Sequence, residues 1–352
     1  MHVASAVRRR FALLLGALLL VPVSAGAEMV LPAGFTAKVY VSGEGFDGTR
    51  TATGIPSSST LAFDPAGTLY LARNGRRYQG GEVEDLWPVY RVPLGGGRLG
   101  KDAEARFLYG PPLPNPQVGA VRGAHELLVT TYDRDRGLGV LYRIVDGRAD
   151  LVAGGTPPQG AAPLLKQPEG VALDRAGNFY VADRAQNVVV QLDPAGRVLD
   201  ARWLAVPRPR LIVSHADRIW VSSDGDAEAP WQRGTGEIWS VGPEGRHLAL
   251  RGPIAFGMSA SPAGHLFVAD RQNAKLLAVG GDGTSTEFAT FSEGDAPRAV
   301  IFAPDTEATR RAGIAGDLFV ILIRRGTFTL NEIVRVSGPF DSFVRSRLPA
   351  SR

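Results

Sequence analysis

A four-residue tag recurs six times along the chain: a pair of large apolar residues, the second often aromatic, followed by two small or β-branched ones. The copies are Leu69-Tyr70-Leu71-Ala72, Leu127-Leu128-Val129-Thr130, Phe179-Tyr180-Val181-Ala182, Ile219-Trp220-Val221-Ser222, Leu266-Phe267-Val268-Ala269 and Leu318-Phe319-Val320-Ile321. Their second residues stand at 70, 128, 180, 220, 267 and 319, so the copies are 58, 52, 40, 47 and 52 residues apart. A repeat of about 50 residues made of short strands is the period of β-propeller blades, units that bury their apolar faces only against their neighbours. The expectation is an all-β chain: a six-bladed β-propeller of four-stranded antiparallel blades.

The segment before the repeats reads as a targeting signal. Arg8, Arg9 and Arg10 make a basic start, residues 11–21 are an apolar run too short to span a bilayer, and Ala25 and Ala27 form a small-x-small cleavage site. Residues 1–27 are therefore expected to be a signal peptide and 28–352 one propeller domain, periplasmic or secreted, with no transmembrane span after signal removal. The leucine-rich run fits general secretion better than the twin-arginine route. Removing three arginines leaves 36 basic against 35 acidic residues, a mature charge of +1, which offers no electrostatic footprint for nucleic acid. Cysteine is absent, which excludes disulfides, thiolate nucleophiles and cysteine zinc sites.

The third repeat shows the blade plan most clearly. Residues 170–174 read as an inner strand, 175–178 as a turn, 179–183 as the second strand, 187–193 as the third, and 198–203 as the fourth. The 43 glycines and 25 prolines punctuate the other repeats in the same way, and no stretch carries sustained helical periodicity. A spare strand at 35–41, ahead of the first blade, is the expected partner of the last blade, which ends at 332–336, because a propeller left open exposes a strand edge. Insertions at 73–88 and 304–316 lengthen one loop of the first blade and one of the last.

The third repeat resembles an NHL repeat through Pro168, Gly170-Val171-Ala172, Asp174, Gly177-Asn178, Tyr180-Val181-Ala182-Asp183, Asn187, Gln191, Asp193 and Gly196; the fifth keeps Gly264, Phe267-Val268-Ala269-Asp270 and Asn273. That superfamily includes protein-binding scaffolds, gluconolactonase-type hydrolases, streptogramin lyases and quinoprotein sugar dehydrogenases, and fold does not choose among them. Leu31-Pro32-Ala33-Gly34-Phe35, Gly316-Asp317-Leu318-Phe319-Val320 and Ile333-Val334-Arg335-Val336 resemble the ends of sorbosone/glucose dehydrogenase-like quinoproteins. The resemblance implies ligand binding over the channel, on the face carrying the second-to-third and blade-to-blade loops.

Sorting residues by that rule places His125, His215, His265 and His247 on the opposite face. Histidine is the usual base near neutral pH, and the related lyases and dehydrogenases are expected to hold one at the ligand face. The first inner strand instead offers Ser57-Ser58-Ser59-Thr60, where gluconolactonase-like enzymes carry a metal-binding Glu. On the ligand face, Asp224, Asp226 and Glu228 alternate as candidate oxygen ligands for calcium. Glu169 opens the third inner strand, and Asp295 precedes the sixth. Arg73, Arg134, Arg184, Arg271 and Arg324 follow five of the six tags and suit a carboxylate or phosphate. Pairing of Asp183 with Arg184 and of Asp270 with Arg271 inside a blade is the competing expectation; the two aspartates read as turn-stabilising acceptors.

Three readings follow in order: a binding or scaffold propeller for a small anionic ligand or a protein partner, a quinoprotein sugar dehydrogenase relative using pyrroloquinoline quinone, and a metal-dependent gluconolactonase-like hydrolase.

Overall fold

The structure is a computed structural model; it describes residues 29–43, 55, 58, 60–72, 77–79, 82–84, 86–99, 104–123, 126–229, 232–280, 283–292, 294–325 and 329–348. The segment expected to be a signal peptide, Arg73 and His125 lie outside the described residues.

Every tag forms part of a second strand. Blade 2 runs Gln117–Arg122, Glu126–Asp133, Leu138–Val145 and Arg148–Gly154; blade 3 runs Pro168–Leu173, Phe179–Asp183, Val188–Leu192 and Val198–Ala205. Blade 4 follows with Pro209–His215, Arg218–Ser223, Thr235–Gly242 and Gly245–Pro253, and blade 5 with Ala255–Ala260, Leu266–Asp270, Lys275–Val279 and Ser285–Phe291. Met29–Val30 adds a fifth strand to blade 5.

Strand alternation explains why the tag has its form. Successive side chains point to opposite faces, so each tag feeds two inter-blade cores. Leu69 and Leu71 pack toward blade 6 with Phe319 and Ile321, whereas Tyr70 and Ala72 pack toward blade 2 with Leu127 and Val129. Leu128 then meets Phe179 and Val181; Tyr180 and Ala182 meet Ile219 and Val221; Trp220 meets Leu266 and Val268. Phe267 and Ala269 close the round against Leu318 and Val320. The tag aromatics are therefore packing residues, each large and buried, contributing roughly 1.5–3 kcal/mol by transfer from water.

Closure occurs where the sequence predicts it. In blade 6, Ala296–Phe302, Leu318–Arg325 and Thr329–Ser337 are completed by Thr36–Gly43, which pairs antiparallel with Thr36 opposite Ser337 and Val39 opposite Val334. Blade 1 departs from the four-strand plan. Among the described residues it has three strands, Leu61–Phe63, Leu69–Ala72 and Val89–Val92, extended by a bridge between Tyr90 and Leu108. The next segment, Gly97–Leu99, pairs parallel with Thr36–Gly43 on blade 6 instead. Tyr40 fixes that crossing, its hydroxyl donating to the carbonyls of Pro93 at 3.2 Å and Leu94 at 2.8 Å.

Helix, absent from the sequence expectation, appears in short pieces. Glu307–Arg311 falls inside the predicted insertion, capped reciprocally by Thr306 and Thr309. Phe340–Arg347 is a C-terminal helix whose Phe340, Phe343 and Val344 pack with Phe35, Phe288 and Phe302. Its apolar residues cover one turn only, too few to register as a period. Among the described residues no helix is long and apolar enough to cross a membrane.

Candidate functional site at the channel mouth

The inner strands approach one another so closely that the central channel is nearly filled. Thr60, Val118, Gly170, Ile212, Met258 and Val300, one from each blade, help to line a cavity of only about 40 Å³. Glycine permits the contact: a Cβ on Gly170 would lie 2.6 Å from the Arg210 carbonyl oxygen, and one on Gly257 would lie 2.8 Å from Ala299 Cα. The shaft is too tight to hold a ligand, which confines candidate chemistry to its mouth.

The mouth is built by β-bulges at the starts of inner strands. In blade 3, Pro168 pairs with Asp183 and Gly170 with Ala182, leaving Glu169 between them. In blade 5, Ala255 pairs with Asp270 and Gly257 with Ala269, leaving Phe256. Register shifts likewise leave Arg210 in blade 4 and Arg298 in blade 6 outside the ladder. A bulge bends the strand and re-aims the extra side chain; here it repeats around the ring and delivers an acid, two arginines and a phenyl ring.

Arg210 is the anchor. It is buried, and its Nε donates to both Asp224 oxygens, at 2.9 and 3.1 Å. Its terminal nitrogen donates to the Ala255 carbonyl, and its guanidinium lies 5.5 Å from the Phe256 ring centroid. Arg184 reaches the same Asp224 at 3.3 Å and donates to the carbonyls of Ala227 at 3.2 Å and Glu228 at 2.7 Å. One carboxylate thus holds two guanidinium groups from blades 3 and 4.

Glu169 sits beside this cluster, its Oε1 accepting from Gln167 Nε2 and lying 3.5 Å from the Tyr132 hydroxyl. Burial raises its carboxyl above the usual range, with Arg210 and Arg184 pulling the other way. Burial, followed by the charge of Glu169, pushes the Tyr132 phenol up to about 12. Arg134 donates to that hydroxyl at 3.3 Å and lies 5.9 Å from the Tyr132 ring centroid; Arg271 lies 5.0 Å from that of Phe256. Arg298 Nε donates to the Ser58 carbonyl at 3.0 Å, joining blade 6 to blade 1.

Several sequence expectations are corrected by these contacts. Arg184 pairs with Asp224 of the next blade and not with Asp183. Asp183 accepts from the backbone N–H groups of Lys166, Gln167 and Gln186, and Asp270 accepts from Asn273, the turn-stabilising role expected of both. The alternation of Asp224, Asp226 and Glu228 does not build an oxygen cage: Asp224 turns inward to the arginines, whereas Asp226 and Glu228 are exposed. Among the described residues no group of three His, Asp or Glu side chains is placed to share an ion. Asp295 is a loop residue that accepts from Ser292 Oγ at 3.4 Å. Arg324 lies in a blade 6 strand, but its side chain is outside the described set.

His215, His247 and His265 lie at first-to-second or third-to-fourth hairpins, on the face away from the mouth. Sequence reasoning missed Arg210, Tyr132, Gln167, Phe256 and Arg298. Aligning the residue that opens each inner strand with Glu169 would have found Arg210, Phe256 and Arg298.

No protein-family model matches the chain, and no curated protein sequence matches it. Solved structures do resemble it. The PQQ-bound form of the aldose sugar dehydrogenase of Streptomyces coelicolor superposes with a TM-score of 0.53 at 15% identity, covering 88% of this chain and 100% of that one. A gluconolactonase of Xanthomonas campestris superposes with a TM-score of 0.50 at 13% identity, covering 78% of this chain and 90% of that one. What these likenesses establish is the architecture itself, a six-bladed β-propeller.

Proposed function

We propose that the protein is an exported binding propeller whose channel mouth takes a small anionic ligand. The observation that carries this reading is the placement of Arg134 and Arg271, each over an aromatic ring, on blades 2 and 5 and so on opposite sides of the mouth. A guanidinium packed against a ring loses part of its freedom of movement while keeping its fork of donors, which suits bidentate binding of carboxylate or phosphate. Arg184 and Arg210, held by Asp224, stiffen the wall behind them. Titration calorimetry of the mature chain with small carboxylates and phosphate esters tests the reading. Arg271→Gln should weaken binding by about tenfold, or ~1.4 kcal/mol; a ligand whose affinity ignores both Arg271→Gln and Arg134→Gln binds elsewhere.

A second reading is an oxidoreductase using an acidic planar quinone, as the Streptomyces neighbour is described in its PQQ-bound form. Arginines over aromatic rings suit the carboxylates and the flat face of such a molecule. The described histidines are on the other face, so Glu169 is the acid-base group nearest at hand. Sugar-dependent dye reduction after reconstitution with the quinone and calcium would replace the first reading with this one.

A further inference from the structure

Two of the three described histidines, His247 and His265, line one cleft. It opens between blades 4 and 5 on the face opposite the channel mouth, with a volume of about 510 Å³, inside the range of small-molecule sites. Blade 4 contributes Arg218, Ser240, Glu244 and His247; blade 5 contributes His265 at the turn facing them. His215 packs behind that turn, its ring 3.1 Å from where a Cβ on Gly264 would stand. The floor is apolar: Trp220, Ala249, Leu266 and Val279 are all buried.

The polar rim is balanced in charge. Arg218 donates to Ser240 Oγ at 2.8 Å and pairs with Glu244, and His247 Nδ1 lies 3.9 Å from the same carboxylate. Glu244 is held below the usual carboxylate range by its own backbone N–H and by Arg218, so it remains an anion at neutral pH. Both members of the pair are accessible, Arg218 at 32% and Glu244 at 46% of the side chain, so a ligand can divide them. A fixed cation and a fixed anion over an apolar floor complement a molecule carrying one charge of each sign and an apolar body.

We propose that this cleft is a second binding site, for a free α-amino acid with an apolar side chain. Its carboxylate would meet Arg218, its ammonium Glu244, and its side chain the floor around Trp220 and Leu266, with His247 and His265 as flanking hydrogen-bond partners. The site is independent of the mouth: neither the mouth arginines nor their ligand enter it.

Titration of the mature chain with L-phenylalanine, followed by calorimetry and by the ring-proton signals of the histidines, tests this. Saturable binding that moves the His247 and His265 signals is the expected result, with affinity falling at least about tenfold in Arg218→Gln and in Glu244→Gln. Should Arg218→Gln fail to fold, the more exposed Glu244→Gln alone carries the comparison. Phenylacetate and phenethylamine, each lacking one charge, should bind far more weakly. No saturable binding, binding that leaves both histidine signals in place, or phenylacetate binding as well as phenylalanine would each overturn the proposal.

Discussion

Arg210 and Asp224 form an ion pair inside the protein, with side chains 2% and 0% exposed and the guanidinium Nε within 3.1 Å of both carboxylate oxygens. Two charges removed from water are tolerated only as a pair, and losing one partner leaves the other uncompensated. Asp224→Ala should therefore lower stability by about 3–5 kcal/mol, measured by urea unfolding. Replacing both residues with apolar ones of similar size should recover only part of the loss, because Arg184 also pairs with Asp224. A single mutant within about 1 kcal/mol of the native protein would mean that Arg210 has found water or another acid.

Glu169 makes stability depend on pH in an unusual direction. Burial raises its carboxyl in the folded state, so the folded chain keeps a proton over a range in which the unfolded chain has released it. Stability then falls as pH rises from the ordinary glutamate range through the raised folded value, and the contribution is fully present below that range. Glu169→Gln cannot ionise. Its stability relative to the native protein should be higher at about pH 8 than at about pH 4; equal differences at the two values would remove the buried acid from the account.

Phe319 is fully buried where three parts of the ring meet, its centroid 4.7 Å from that of Tyr40 on the closing strand and 5.0 Å from that of Phe63 on blade 1. Phe319→Ala should cost about 3–5 kcal/mol, visible in the thermal midpoint. Removing the closing strand Thr36–Gly43 should have a second effect, exposing the edge of Thr329–Ser337 to pairing between molecules. Light scattering would detect that, and a monomeric truncated chain would argue against the edge.

Gly257→Ala should loosen blades 5 and 6, because the new methyl meets backbone: Ala299 Cα and Val300 N at 2.8 Å and the Arg298 carbonyl at 2.9 Å. Overpacking of this kind costs about 1–3 kcal/mol. Gly252→Ala, where a Cβ meets nothing within 4 Å, is the matched control and should change little.

The fold was legible because its signals are local and repeated. The tags mark second strands, and Asp183 and Asp270 mark the turns after them. The closing strand could be inferred from the need to leave no edge unpaired. The mouth was harder to read, because its geometry depends on contacts between blades. Asp224 reads as one of three alternating acids until Arg210, fourteen residues earlier, is seen to reach it across the strand pair. Arg184 reads as the partner of adjacent Asp183, yet it stands in the turn just past the strand, and its partner lies on the next blade. Glu169 was found because it opens an inner strand; Phe256 went unread because a phenylalanine in a β protein looks like core.

The strand that completes blade 6 comes from the start of the chain and the strand it joins from the end, with Ala37 beside Val336. Five of the inter-blade cores involve neighbours in sequence, but this join spans almost the whole polypeptide. Non-local contacts of that kind form late and slowly. A growing chain can stack its blades as they emerge, yet it stays an open arc with two raw edges until its last strand has been made. The period in which the molecule is most exposed to misassembly is therefore set by its length, and it ends in a single step.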